Sequence, residues 1–309
     1  MDKKRILYVS QEISPYLKDS EIAKAALTLP KKMNEKGHEV RVFMPRFGVI
    51  NERRHQLHEV IRLSGINIVV NDMDQPLIIK VASVPSARIQ VYFIDNDEYF
   101  KRKSVFFDQE GKFHADNDER ALFFCRGVIE TVKKLGWSPD IIHAHGWMAS
   151  LLPLYLKRFH ADDPLFQDAK VITSVYDFDY CEPFTDKLMN GLRFDGIPEE
   201  DLTHFDSADV DCLSKAGVLF SDAIIRHANV NGSIGGLIED THFGLGAMRV
   251  GVHSAVLLLL SFFNGKEVNS LILKDFSFFC FPHKMAQCLK SFIWRHGESL
   301  VDIRCCSRV

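Results

Sequence analysis

The side chains best suited to chemistry in this chain fall in two short stretches. One is the polar loop at residues 10–20, which contains Glu12, Lys18 and Asp19. The other is the run His143-Ala-His145-Gly146-Trp147. Alternation along a strand puts His143 and His145 on one face, and imidazoles donate, accept or exchange protons near neutral pH. Two readings stand for such a pair: satisfied histidines of a core, or one buried ring beside one open to a cleft. A third stretch, Asp116-Asn-Asp-Glu-Arg120, opens a helical pattern. Carboxylates in that first turn cap the helix and suit the positive end of its dipole.

The hydrophobic pattern supplies a scaffold to hold these groups. Arg5-Ile-Leu-Tyr-Val-Ser10 is an apolar run of the kind a buried strand uses. After the loop, Ile22, Ala25, Ala26, Leu29 and Met33 recur at helical spacing, with Asp19 or Ser20 as N-cap. Residues 40–44, 89–94, 140–145 and 170–175 read as further buried strands. Residues 60–70 and 75–84 alternate, as in a hairpin or insertion. Leu122, Phe123, Val128, Ile129 and Val132 form one helical stripe. Further helices are expected at 148–159 and 214–222, the last leading into a strand at 223–225. Strands separated by helical lengths of chain predict an α/β protein with a doubly wound, mostly parallel sheet. In such sheets ligands bind outside the carboxyl ends of the strands, so the loop at 10–20 is the first place to expect a site.

Composition bounds the function classes. The chain has 309 residues, 46% hydrophobic and 26% charged, with a net charge of −3. A near-neutral charge argues against a nucleic-acid binder. The opening Met1-Asp-Lys-Lys-Arg5 leads into too short an apolar run for a signal peptide. No metal-ligand or CxxC spacing links the seven cysteines, so free thiols in the cytoplasm are expected. From about residue 229 the composition turns Gly-rich, then apolar and rich in Phe, with four cysteines from Cys280 onward. Two regions are therefore drawn, 1–228 and a divergent tail at 229–309 of unknown fold. The apolar run at 252–263 is shorter than the about 20 residues a membrane span needs.

Taken in order, four segments resemble one known family. They are Tyr8-Val-Ser-Gln-Glu12-Ile-Ser-Pro15, Gly37-His-Glu-Val-Arg-Val42, Pro45-Arg-Phe-Gly48 and Pro139-Asp-Ile-Ile-His-Ala-His-Gly-Trp147. The family is the N-terminal catalytic domain of bacterial glycogen and starch synthases, the family 5 glycosyltransferases, and the resemblance is to a shortened, single-domain form. It implies the Rossmann-like N-terminal half of a GT-B enzyme. It also implies transfer of glucose from ADP-glucose to the non-reducing end of an α-1,4-glucan, with no metal and no cofactor besides the donor. By the same resemblance, Lys18 meets the donor phosphates or the glucan-side pocket, and His145 contacts the transferred sugar. Tyr176 and Asp177 stand where the family places a histidine on the acceptor side, and would hydrogen-bond sugar. Glu12 supports the first loop, Asp116 fixes a helix start by capping and ion pairing, and Trp147 packs beside the site.

The chain departs from the family pattern at the first loop. The family's Lys-x-Gly-Gly-Leu is replaced by Lys18-Asp-Ser-Glu-Ile22. Glycines let backbone N–H groups approach phosphate oxygens at a helix N-terminus, whereas Asp19 and Glu21 put carboxylates there. A carboxylate about 4 Å from a phosphate charge costs about 4 kcal/mol at an effective dielectric near 20, roughly a thousandfold in affinity. After residue 228 no second donor-binding domain is recognisable, and Gly235-Gly236-Leu237 lacks the preceding lysine. Two functions follow: a synthase whose donor half comes from a partner chain, or a non-catalytic glucan-binding or regulatory module of the same fold. Either predicts α-glucan, and the first ADP-glucose, as partners, with neither nucleic acid nor membrane.

Overall fold

The computed structural model describes residues 3–17, 20–178, 180, 182–205, 208–226, 234 and 237. Lys18, Asp19 and the tail, apart from Ile234 and Leu237, lie outside the described residues. The strands are β1 (Arg5–Ser10), β2 (Glu39–Pro45), β3 (His58–Glu59), β4 (Ile66–Val70), β5 (Met73–Val84), β6 (Ile89–Asp95), β7 (Ile141–His145), β8 (Lys170–Val175) and β9 (Ala223–Arg226). They form one sheet of order β3-β5-β6-β2-β1-β7-β8-β9, with β4 also paired to β5. From β6 through β9 every pairing is parallel, while β3, β4 and β5 add on antiparallel. The parallel strands are buried almost end to end, Ile6 to Val9 among them, because both faces of such a sheet are covered.

The helices are α1 (Glu21–Glu35), α2 (Glu52–His55), α3 (Asp97–Phe100), α4 (Asn117–Leu135), α5 (Leu152–Phe159), α6 (Asp186–Phe194), α7 (Glu199–Leu202) and α8 (Val210–Phe220). From β1 the chain crosses by α1 to β2 and on to β6. It then returns by α4 over both inner strands to β7, and continues by α5 and α8 to β8 and β9. Right-handed crossovers running in opposite directions put α1 on one face and α4, α5 and α8 on the other. The expected doubly wound sheet is what the chain forms, and its direction of winding reverses between β1 and β7.

Local departures from the sequence expectations have local causes. The helix expected over 148–159 begins as a 3-10 turn, Trp147–Ala149, and becomes α-helical only at Leu152, where Pro153 sits in the first turn. The alternating stretch at 60–70 is a turn followed by β4. Helix α8 starts at Val210, earlier than expected, because Asp209 caps it by accepting from the Cys212 amide. Asp116 stands at the N-cap of α4 without capping it. Its backbone (φ −101°, ψ 14°) is not the extended conformation a cap uses, and both its oxygens take the Arg102 guanidinium instead. Arg120 is buried between the rings of Phe47 and Phe100, each 5.2 Å away. Its Nη1 donates to Val105 O at 2.7 Å and Asn117 Oδ1 at 2.6 Å, and burial lowers its pKa to about 9. At the far end of the sheet, Ile234 is buried against Val175, Val218 and Ile224, with Leu237 packed alongside.

Candidate functional site

The reversal between β1 and β7 fixes where a crevice can open, because neighbouring crossovers leave the sheet on opposite faces there. Ser10 at the end of β1 pairs with His145 at the end of β7. Just beyond, the Gln11 amide donates to His145 O at 3.3 Å. The Gln11 side chain then reaches over the turn that follows β7, its Oε1 accepting from the Met148 amide at 3.3 Å. Beneath it lies Gly146, with φ +83°. A Cβ on that residue would lie 2.4 Å from Gln11 Oε1. Glycine is therefore required at 146 twice over, by the backbone conformation and by the side chain crossing it.

Both histidines are buried, His143 and His145 alike. The expectation of one ring open to a cleft is corrected: β7 lies between β1 and β8 with both its faces covered. The two imidazoles lie 4.0 Å apart between centroids, and Tyr8 of β1 packs against them at 5.5 and 6.1 Å. His143 Nε2 hydrogen-bonds Ser174 Oγ at 2.9 Å, and His145 Nδ1 hydrogen-bonds the Tyr176 hydroxyl at 2.8 Å. Burial pushes the Tyr176 phenol far above its ordinary range, so it keeps its proton at neutral pH. Tyr176 is itself buried, so the pair belongs to the packed interior at the carboxyl ends of β7 and β8.

The first loop is tied to the first helix. Ser20, rather than Asp19, is the N-cap of α1: its Oγ accepts from the Ala23 amide at 3.0 Å and donates to the Glu12 carboxylate. Glu12 also accepts from Gln11 Nε2 at 3.4 Å. Trp147 is fully buried, 5.0 Å from Phe106 and 5.6 Å from Phe184 between ring centroids, and its Nε1 donates to the Tyr180 hydroxyl at 3.0 Å. Asp177 is exposed just past β8, and Asp116 spends its oxygens on Arg102. The structure thus gathers Glu12, His145 and Tyr176 at the β1–β7 end. Sequence reasoning missed Gln11 there, and gave Gly146 no role beyond its place in the run from His143 to Trp147. The one signal available was a glycine directly after a strand, where positive φ is common. Among the described residues no group of His, Cys, Asp or Glu could hold a metal ion, and no helix is long and apolar enough to cross a membrane.

A doubly wound sheet of this order, its winding reversed between β1 and β7, is the Rossmann-like arrangement of one half of a GT-B fold. The starch synthase catalytic domain family matches residues 5–227, and the chain belongs to that family. Glycogen synthase of Chlorobium limicola is 34% identical over 245 residues, 76% of this chain and 50% of the relative. That of Chlorobium phaeobacteroides is 42% identical over 173 residues, 56% of this chain and 35% of the relative. The chain spans about half the length or less of these relatives. Among solved structures, the catalytic domain of starch synthase IV from Arabidopsis thaliana, bound to ADP and acarbose, superposes with a TM-score of 0.59 at 18% identity. That match covers 72% of this chain and 44% of the other, and the likeness is one of fold.

Proposed function

We propose that this chain forms the acceptor-side half of a glycogen synthase-type glucosyltransferase, which moves glucose from ADP-glucose onto an α-1,4-glucan. The observation that carries the reading is the β1–β7 reversal. In a chain of this family it brings Glu12, Gly146 and Ser20 to the carboxyl end of neighbouring elements, where a crevice is expected. Hydroxyl-rich glucan suits that rim, where Glu12 is half-buried and already hydrogen-bonding. A diphosphate does not, because Glu21 adds a carboxylate in the first turn of α1. The donor's phosphates are left to another part of the protein or to a partner chain.

A second reading, a non-catalytic glucan-binding or regulatory module, is favoured by one specific observation. His145 is fully buried and hydrogen-bonded to Tyr176, which favours a structural role over contact with sugar. One experiment separates the two. The purified chain is incubated with ADP-glucose and glycogen, ADP release is followed, and the same protein is run on a native gel containing glycogen. Turnover, by the chain alone or restored when the remaining half of a related glycogen synthase is supplied in trans, supports the synthase half; retention with no turnover under either condition supports the module. If neither glucan nor ADP-glucose moves the melting temperature, both readings fall.

A further inference from the structure

At the carboxyl ends of β7 and β8 the hydrogen bonds of the two histidines join into one chain. His143 Nε2 meets Ser174 Oγ at 2.9 Å, and His145 Nδ1 meets the Tyr176 hydroxyl at 2.8 Å. The Ser174 and Tyr176 hydroxyls hydrogen-bond each other and so close the gap between the rings. All four residues are buried. Tyr8 packs against both rings, but its hydroxyl makes no hydrogen bond among the described residues and does not branch the chain.

Proton counting constrains such a chain. A hydroxyl carries one proton, and a neutral imidazole carries one on only one of its two nitrogens. Three hydrogen bonds lie between the rings, and the two hydroxyls supply protons for only two of them. One histidine must therefore donate inward, and the other must accept. Two inward protons would collide in one bond; none would leave a buried bond unmade, which is costly. The facing atoms are unlike, Nε2 of His143 and Nδ1 of His145. A donor at the first and an acceptor at the second make both rings the Nε2–H tautomer. The reverse polarity makes both Nδ1–H. Either way the two histidines share a tautomer, and a chain polarised in one sense strengthens its own members. An isolated neutral imidazole side chain favours Nε2–H, so the first polarity meets that preference twice.

We propose that Ser174 and Tyr176 are positioning residues that lock His143 and His145 into one shared tautomer, with the proton of each ring on Nε2. The hydrogen bonds then run from His143 through Ser174 and Tyr176 to His145 Nδ1. His145 is held as a donor at Nε2 and cannot serve as a base through that nitrogen. On the function proposed above, a sugar oxygen reaching His145 would be met as an acceptor. That consequence rests on the glucan reading; the shared tautomer does not.

The test is a long-range proton–nitrogen NMR spectrum of the intact chain, its histidines labelled with the heavy nitrogen isotope, near neutral pH and without glucan. Signals are assigned by their loss in His143→Gln and His145→Gln. Wild type should show both rings as Nε2–H. Tyr176→Phe should shift His143, to which Tyr176 makes no hydrogen bond, toward a mixture of tautomers. Ser174→Ala should do the same to His145, whose ring bonds Tyr176, and Ser174→Thr, which returns the hydroxyl, should restore the wild-type pattern. A residue that only packs would lower the melting temperature without changing the far ring's tautomer. If Tyr176→Phe fails to fold, the Ser174 pair decides. Unlike tautomers in wild type, both rings as Nδ1–H, or a ring protonated on both nitrogens overturns the proposal. So does a far ring unmoved in the folded variants.

Discussion

At the scale of single residues, the turn after β7 is the sharpest test of the crevice. Gly146→Ala forces a Cβ both into a left-handed backbone region and against Gln11 Oε1. We expect a loss of about 3 kcal/mol, read from urea denaturation. In a Gln11→Ala background the steric part should vanish, leaving about 1 kcal/mol of backbone strain, so the two changes will not add. Additive losses would mean that Gln11 does not cross Gly146. Tyr176→Phe removes the hydroxyl bonded to His145 and should cost about 1–2 kcal/mol. A stability equal to wild type would show that the hydroxyl does not anchor the histidine.

At the scale of elements, Ser20 joins loop to helix through one oxygen that both caps α1 and donates to Glu12. Ser20→Ala should lower stability by about 1–2 kcal/mol, while Ser20→Asn keeps the cap and should recover most of it. Failure of Asn to recover would place the energy in the Glu12 bond. The strands β1, β2, β6, β7 and β8 were legible because apolar residues dominate each short run, as in strands covered on both faces. The two-residue β3 was not, since both of its residues are exposed and carry no hydrophobic pattern. The helix after β7 was half legible: its stripe was visible, but the tight turn that aims it depends on Gln11, far away in sequence and just past the neighbouring strand β1. A surface cavity lined by Asn67, Arg126, Phe159 and Asp195 was illegible for the same reason, since only the fold brings these residues together. His145 was legible as a residue at the right strand end; its burial was not, because that depends on Tyr8 and Tyr176 from neighbouring strands.

At the scale of the whole molecule, burial writes a pH dependence. His38, His114 and His160 all titrate below the ordinary value of 6.5, burial being the largest cause in each, with Lys36, Arg102 and Lys133 adding respectively. The unfolded chain binds protons there that the folded chain refuses. Their contribution to stability is therefore full above about pH 6.5 and is lost as pH falls through the lower folded values. Asp118 and Asp195, raised chiefly by burial, act the opposite way: their support is full below the ordinary 3.8 and lost as pH rises through the raised values. The melting temperature should fall from about pH 7.5 to about pH 5.5, and His160→Asn should flatten part of that slope. An unchanged melting temperature across that window would contradict the burial seen for all three rings.

The border of the sheet at β3 has a consequence for how this molecule meets others. His58 and Glu59 offer an incoming chain only a stub of backbone, flanked by a turn and by polar, solvated side chains. An invading peptide finds no ladder long enough to register on, so growth of the sheet in that direction is blocked. Any companion approaching from this side has to be recognised through side chains, one surface fitted to another.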